Sequence, residues 1–180
     1  MLMANLVISG YRSFELGVFK EDDLKIVVIK KCLTQEITQL VENNQVEWIL
    51  IGGQSGVEQW AAEVVQELKK DYPQIKYSVI FPFYEFGSNW NEANQLKLQK
   101  IKQAADYTDS TSHKPYENPA QLKNHQQFLL DHSELALLVY DPEFEGKTKY
   151  LYEAIQRKQE KTTYECLLID FDQLQNQTFE

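Results

Sequence analysis

The stretch Ile51-Gly52-Gly53-Gln54-Ser55-Gly56-Val57-Glu58 decides how this chain folds. It joins an apolar run, Val46–Ile51, to a segment that carries Trp60, Ala61, Val64, Val65 and Leu68 on one side. The run reads as a buried strand, and Val57 to Lys70 as a helix of period 3.6. A strand that passes through glycines into a helix is the repeating step of a parallel α/β sheet. Glycines at such a join let the backbone approach a ligand and turn its N–H groups toward an anion. The amino end of the helix adds a dipole that favours phosphate. A second reading is a tight turn with good capping. Ser55-x-x-Glu58 is a capping box, in which Glu58 reaches back to the Ser55 amide.

The same alternation continues on both sides. Leu6–Ser9 reads as the first strand and ends in Gly10. Leu24 to Asn44 carries Val28, Leu33, Ile37, Leu40 and Val41 at helical spacing, although Ile26–Ile29 also reads as a strand. Pro73 resets the chain. Tyr77–Phe81 is the third strand, followed by Pro82, and Trp90 to Ala105 is a helix through Leu98 and Ile101. Tyr107 to Ser112 reads as a short fourth strand. Asn118-Pro119-Ala120-Gln121 opens a helix that runs through Leu122 to Leu130, with Asn as cap, Pro in the first turn and Gln in the capping-box position. Leu135–Tyr140 is the fifth strand, Thr148 to Lys158 a helix, and Tyr164–Ile169 the last strand. The tail from Asp172 is polar and is expected to fray. The pattern predicts a single α/β domain over residues 1–180 with a mostly parallel sheet. In such sheets ligands bind beyond the carboxyl ends of the strands. Gly10, Gly52, Gly53, Pro82, Asp141 and Gly146 fall at that edge.

Composition narrows the function. The chain has 180 residues, 43% hydrophobic and 25% charged, a balance that supports a packed core. Its net charge of −9 argues against a broad nucleic-acid or anionic-membrane surface. A small anion pocket remains open, because backbone N–H groups and one or two cations suffice. There are 7 glycines, against about 12 at average usage. Five of them, Gly10, Gly52, Gly53, Gly56 and Gly146, each follow an apolar run, which suggests one site. Cys32 and Cys166 are the only cysteines, so neither a disulfide framework nor a zinc motif is present. Reduced thiols suit a cytoplasmic protein. Met1 to Ser9 lacks the basic region and cleavage site of a signal peptide. No apolar run reaches the roughly 18 to 20 residues of a bilayer span.

Several further residues have chemical potential. Arg12, just after Gly10 and Tyr11, can fork onto a phosphate or carboxylate, or form a surface salt bridge. G-x-G-x-x-G is absent, which disfavours a dehydrogenase-type dinucleotide site. Gly146-Lys147-Thr148 resembles the end of a P-loop, but the earlier glycine would fall at Asp141. Gly146 and Thr148 still offer N–H and hydroxyl donors. In Phe81-Pro82-Phe83-Tyr84-Glu85-Phe86-Gly87-Ser88-Asn89-Trp90, Phe81 and Phe83 suit a hydrophobic cluster. Tyr84 and Trp90 are better placed to stack on a base, joined by Tyr116. Asp141 suits ribose hydroxyls, or a plain Asp-Pro turn. His113, His125 and His132 lack metal-ligand spacing, so no metal site is expected. His132-Ser133 near Asp131 lacks a nucleophile elbow.

Taken together, these residues resemble the YpsA family of small bacterial proteins, within the SLOG superfamily of Rossmann-like domains. The matching stretches run from Ser9-Gly10-Tyr11-Arg12-Ser13-Phe14-Glu15-Leu16-Gly17 through Gly52-Gly53-Gln54-Ser55-Gly56-Val57-Glu58-Gln59-Trp60-Ala61-Ala62-Glu63. They continue with Pro82-Phe83, Trp90-Asn91, Tyr116, Pro119, Gln121, Tyr140-Asp141, Glu145-Gly146 and Lys149-Tyr150. The resemblance implies a Rossmann-like, three-layer fold with helices on both faces of the sheet and a pocket at the strand ends. Superfamily relatives include cytokinin-activating phosphoribohydrolases and DNA-processing protein A, and others are thought to sense ligands such as ADP-ribose. On that analogy Gly10, Arg12, Gly52, Gly53, Gly56 and Glu58, with Tyr11 and Gln54 beside them, hold phosphates and ribose. Gly146 and Thr148 close the site. The phosphoribohydrolases carry Pro-Gly-Gly-x-Gly-Thr-x-x-Glu, whereas this chain lacks the Pro and the Thr and brings Glu58 closer to the loop.

Three functions follow as expectations. The first is a cytoplasmic sensor or regulator that binds ADP-ribose, NAD or another nucleotide. The second is an enzyme that cleaves an N-glycosidic bond in such a ligand. There Glu58 would be the catalytic residue, steadying the ribosyl cation or activating water, and Arg12 would hold the phosphate. The third is an interaction module whose surface aromatics bind a protein partner.

Overall fold

The computed structural model describes residues 4–177. Six strands form one sheet: β1 (Ala4–Gly10), β2 (Val46–Ile51), β3 (Lys76–Phe81), β4 (Tyr107–Ser110), β5 (Leu135–Val139) and β6 (Glu165–Ile169). Their spatial order is β4-β3-β2-β1-β5-β6, and every neighbouring pair is parallel. The chain steps outward from β1 to β4, then crosses to the other side of β1 to begin β5. β1 is therefore the topological switch point, where an α/β sheet opens a crevice at its carboxyl edge.

Helices cover both faces, as the Rossmann-like expectation requires. Alternate strand residues face opposite ways. Leu6 and Ile8 enter a core with Leu33 and Ile37 of α1 (Leu24–Glu42), Ala61 and Val65 of α2 (Val57–Leu68), and Leu98 and Ile101 of α3 (Glu92–Ala104). Val7, between them, enters a second core with Leu129 and Leu130 of α4 (Ala120–Asp131) and Leu151 and Ile155 of α5 (Lys149–Gln159). Burial on both faces explains why the central strands read as unbroken apolar runs. β4 pairs only with β3 and is polar and half exposed, as an edge strand should be.

Local chemistry sets the ends of the elements. The Asp23 carboxylate accepts from the Lys25 amide and starts α1, so Ile26–Ile29 is helical and not a strand. Asn91 caps α3 by accepting from the Asn94 amide at 2.8 Å, which leaves Trp90 in the preceding loop, outside the helix expected to include it. At α4, Gln121 accepts from the Asn118 amide at 3.1 Å and Asn118 from the Ala120 amide at 2.9 Å, the reciprocal cap expected there. The tail that its polarity suggested would fray holds a short helix within its described part. Asp170 accepts from the Gln173 amide at 2.9 Å and starts a short helix, α6 (Phe171–Gln175). Phe171 is fixed there by the rings of Phe144 and Tyr11, 4.7 and 5.5 Å away. The N-terminal reading from Met1 lies partly outside the described residues. Among the described residues no helix is long and apolar enough to cross a membrane.

Candidate functional site

Glu58 is the organising residue of the sheet's carboxyl edge. It lies in the first turn of α2 and is only 6% exposed. One carboxylate oxygen accepts from the Gly52 amide at 2.7 Å and, at 3.4 Å, from the Gln54 amide. The other accepts from the Ser9 hydroxyl at 3.0 Å. Glu58 thus ties the end of β1 to the loop after β2. The Ser55 capping box does not form: α2 begins at Val57 with Gly56 before it, and Glu58 turns into the loop. Gln59 completes the brace, donating to the Gly53 carbonyl at 3.1 Å.

A second carboxylate does the same work on the other side of β1. Glu15 follows in a single 3-10 turn, Ser13–Leu16. It accepts from the Arg12 amide at 2.8 Å and from the Lys147 amide at 2.9 Å. The Arg12 loop is thereby joined to the loop before α5. Tyr11 is a buried post beneath this junction. Its hydroxyl donates to the Phe144 carbonyl at 2.7 Å and accepts from the Asp141 amide at 2.9 Å. Burial pushes its hydroxyl pKa up to about 12. The Asp141 carboxylate accepts from the Glu143 and Phe171 amides. It holds the Asp-Pro turn and the start of α6.

These loops surround a cleft of about 1350 Å³, lined at its head by Ser9, Arg12, Gly52, Gln54, Glu58 and Thr148. It continues into the groove between α4 and α5. Six of the chain's 18 basic side chains line it: Arg12, Lys123, Lys147, Arg157, Lys158 and Lys161. Only three acidic ones do, namely Glu58, Asp131 and Glu153. Both arginines of the chain are among them. The charge of the cleft is thus opposite in sign to that of the whole chain, which suits an anionic ligand. Among the described residues no carboxylate lies within salt-bridge reach of the Arg12 guanidinium. Thr148 is 2% exposed, and among the described residues its hydroxyl has no hydrogen-bond partner. A buried hydroxyl without a partner is costly, and such groups mark places where a bonding partner is missing.

The other candidates divide by position. Pro82 and Trp90 line the cleft on the β3 side. Tyr84 does not; it faces a separate pocket beside Phe83 and Phe86. Tyr116 packs on Phe83, ring centres 5.2 Å apart, and also stands off the cleft. Of the clustered glycines only Gly52 lines the cleft. A Cβ at Gly10 would meet the Val139 carbonyl at 2.6 Å, one at Gly53 the Phe81 ring at 2.6 Å, and one at Gly146 the Glu15 carboxylate at 2.5 Å. Gly56 abuts the backbone of residues 11–13. Gly10 and Gly56 thus bring backbone segments together, whereas Gly53 and Gly146 make room for the Phe81 ring and the Glu15 carboxylate.

His125 is a cleft residue that pattern reading left without a role. It comes from α4, far along the chain, and only the fold brings it beside Gly52. Its Nε2 lies 2.5 Å from the Ile80 carbonyl oxygen, which can only accept, so Nε2 bears the proton. Burial pushes the imidazole below its usual pKa, against the opposing pull of the Ile80 carbonyl and the Glu58 charge. Both cysteines are free thiols raised by burial, Cys166 to about 11, and neither is a ready nucleophile at neutral pH. Among the described residues no group of three or more His, Cys, Asp or Glu could hold a metal ion.

Comparison with known proteins agrees with this architecture. The family model YpsA, described as the YspA SLOG family, matches residues 6–174. The chain is 53% identical over 174 residues to a UPF0398 protein of Leuconostoc citreum, covering 97% of this chain and 92% of the relative. A UPF0398 protein of Enterococcus faecalis is 50% identical over 175 residues, 97% of each chain. One of Limosilactobacillus reuteri is 47% identical over 179 residues, 99% of this chain and 94% of the relative.

Proposed function

The chain belongs to the YpsA (YspA SLOG) family, and we propose that its cleft binds a phosphorylated nucleoside, an ADP-ribose-like molecule or a related nucleotide, as a sensor or regulator. One observation carries this reading. Arg12, whose guanidinium has no carboxylate partner among the described residues, and Thr148, whose buried hydroxyl has no hydrogen bond among them, line the same cleft, at the switch point of a parallel sheet. A guanidinium and a hydroxyl are both donors suited to phosphate oxygens. The strand order then orients the ligand. The β1/β5 side, with Arg12 and Thr148, takes the anion. The β3 side, with Pro82 and half-buried Trp90, takes the base. Binding is favoured over hydrolysis because both oxygens of Glu58 are already engaged with Gly52 and Ser9.

A thermal-shift panel with ADP-ribose, NAD and nucleoside monophosphates tests this. A ligand at a hundred times its Kd stabilises the fold by about 2.7 kcal/mol, a melting shift of several degrees. No shift with any of the three classes overturns the proposal. Product analysis of the same mixtures should show intact ligand, and release of free base would favour the enzyme instead. Thr148→Val gives a sharper expectation. The isosteric change removes an unpartnered buried hydroxyl, so the free protein should be at least as stable, by up to about 1 kcal/mol. Ligand affinity should nevertheless fall about tenfold, the worth of one good hydrogen bond. Titration calorimetry beside a denaturation curve reads both.

A further inference from the structure

We propose that His125 is a ligand contact, whose Nδ1 accepts a hydrogen bond from a hydroxyl of the bound molecule, in the middle of the cleft. The inference rests on the nucleotide-binding reading above and adds the chemistry of one contact. Its geometry begins with α4. Gln121, His125 and Leu129 recur every four residues and so share the inner side of the helix. Gln121 anchors the amino end. It accepts from the Glu117 and Asn118 amides and donates to the Ser112 hydroxyl and the Pro115 carbonyl. Leu129 anchors the other end in the core. Between them the imidazole is fixed by its bond to the Ile80 carbonyl.

That bond accounts for Nε2. It leaves Nδ1 as a lone pair with no hydrogen bond among the described residues, in a side chain that lines the cleft. A spacer between α4 and β3 would need only Nε2. The Glu58 carboxylate at the cleft head is already engaged with Gly52 and Ser9, and the cations and hydroxyl nearby, on Arg12, Lys147 and Thr148, are donors. Donors suit a phosphate, and an acceptor lone pair repels one. The acceptor is therefore matched to a different part of the ligand, one that carries O–H. Its place agrees. His125 adjoins Gly52 and β3, between the anion end at β1/β5 and the Trp90 end. In a phosphorylated nucleoside the group between phosphate and base is the sugar, with its hydroxyls.

Two substitutions separate the ring nitrogens. His125→Gln keeps a donor that can reach the Ile80 carbonyl and removes the Nδ1 acceptor. His125→Asn keeps an acceptor near the Nδ1 position and loses the Ile80 bond. Titration calorimetry uses whichever of ADP-ribose, NAD or AMP binds the unaltered protein most tightly. His125→Gln should melt within a few degrees of the unaltered protein and bind about tenfold or more weakly. His125→Asn should melt lower yet bind more tightly than His125→Gln. In the unaltered protein, nitrogen NMR of the imidazole should show an unprotonated Nδ1 whose resonance moves on saturation. Equal binding by His125→Gln, or an Nδ1 resonance that ligand leaves in place, overturns the inference alone. Failure of the unaltered protein to bind any of the three overturns the nucleotide reading, and this inference with it.

Discussion

Gly56→Ala should destabilise the protein by about 3–5 kcal/mol, more than the exchange of any other glycine in a left-handed conformation. Gly56 has φ 89° and ψ −134°, a region that a residue with a Cβ occupies at a cost of about 1–3 kcal/mol. Strain is only part of the effect. The added carbon would lie 2.5 Å from the Tyr11 carbonyl oxygen, 2.6 Å from the Ser13 nitrogen and 2.8 Å from the Arg12 carbonyl carbon. All three are backbone atoms, so no side chain can rotate away. The segment is also held in place: the Val57 amide donates to that same Tyr11 carbonyl at 3.1 Å. Relief requires α2 and the Arg12 loop to separate, which breaks this bond. Gly17→Ala is the control. Gly17 has φ 67°, but a Cβ there meets nothing closer than the Lys25 ammonium at 3.9 Å. It should lose about 1 kcal/mol, the conformational cost alone. Urea unfolding with unchanged slope compares the two. A Gly56→Ala midpoint at or above that of Gly17→Ala would show that the two loops are not packed as described.

This docking explains what the glycine pattern means. Scarce glycines after apolar runs mark the carboxyl edge of the sheet, and the structure has them there. Four of the five serve close packing, Gly10 and Gly56 against backbone and Gly53 and Gly146 against side chains, and the cleft itself is lined by Gly52 with Arg12, Thr148 and His125. The alternation of strands and helices was legible because most elements carry their own period, and one, at Asn118, its own cap. Roles that depend on partners distant in the chain were not. Glu58 matches a capping box in sequence, but its partner Ser9 belongs to another strand, and nothing in the spacing reveals that. Glu15 has one near partner, Arg12, that its spacing suggests; its second, Lys147, is visible only in three dimensions. The start of the polar tail, Phe171–Gln175, is helical because Asp170 caps it and Phe171 finds aromatic neighbours that the fold supplies. Net charge misleads in the same way. A chain of −9 carries a cleft with six cations and three acids, because charge is distributed by topology and not by composition.

The largest contrast is expected at Glu58. Glu58→Ala should cost about 3–5 kcal/mol, whereas Glu58→Gln should cost about 1 kcal/mol or less. Alanine removes the acceptor of the Gly52 amide and of the Ser9 hydroxyl at once. It leaves two polar groups in a site that is 6% exposed. Each orphan costs about 1–3 kcal/mol, and the lost side-chain volume adds to that. Glutamine fills the same space. Its oxygen can accept from Gly52, and its NH2 can donate to the Ser9 oxygen once that hydroxyl rotates. What it loses is the extra strength of charge-assisted bonds. The pair also tests function. If Glu58 is a brace, Glu58→Gln should bind nucleotide within a few-fold of the unaltered protein, because the loop keeps its shape. If Glu58 works on the ligand as a carboxylate, Glu58→Gln should fold normally and lose binding or turnover by two or more orders of magnitude. Calorimetric affinity and a product assay, run on a variant shown to melt like its parent, decide between a carboxylate that shapes the pocket and one that acts in it.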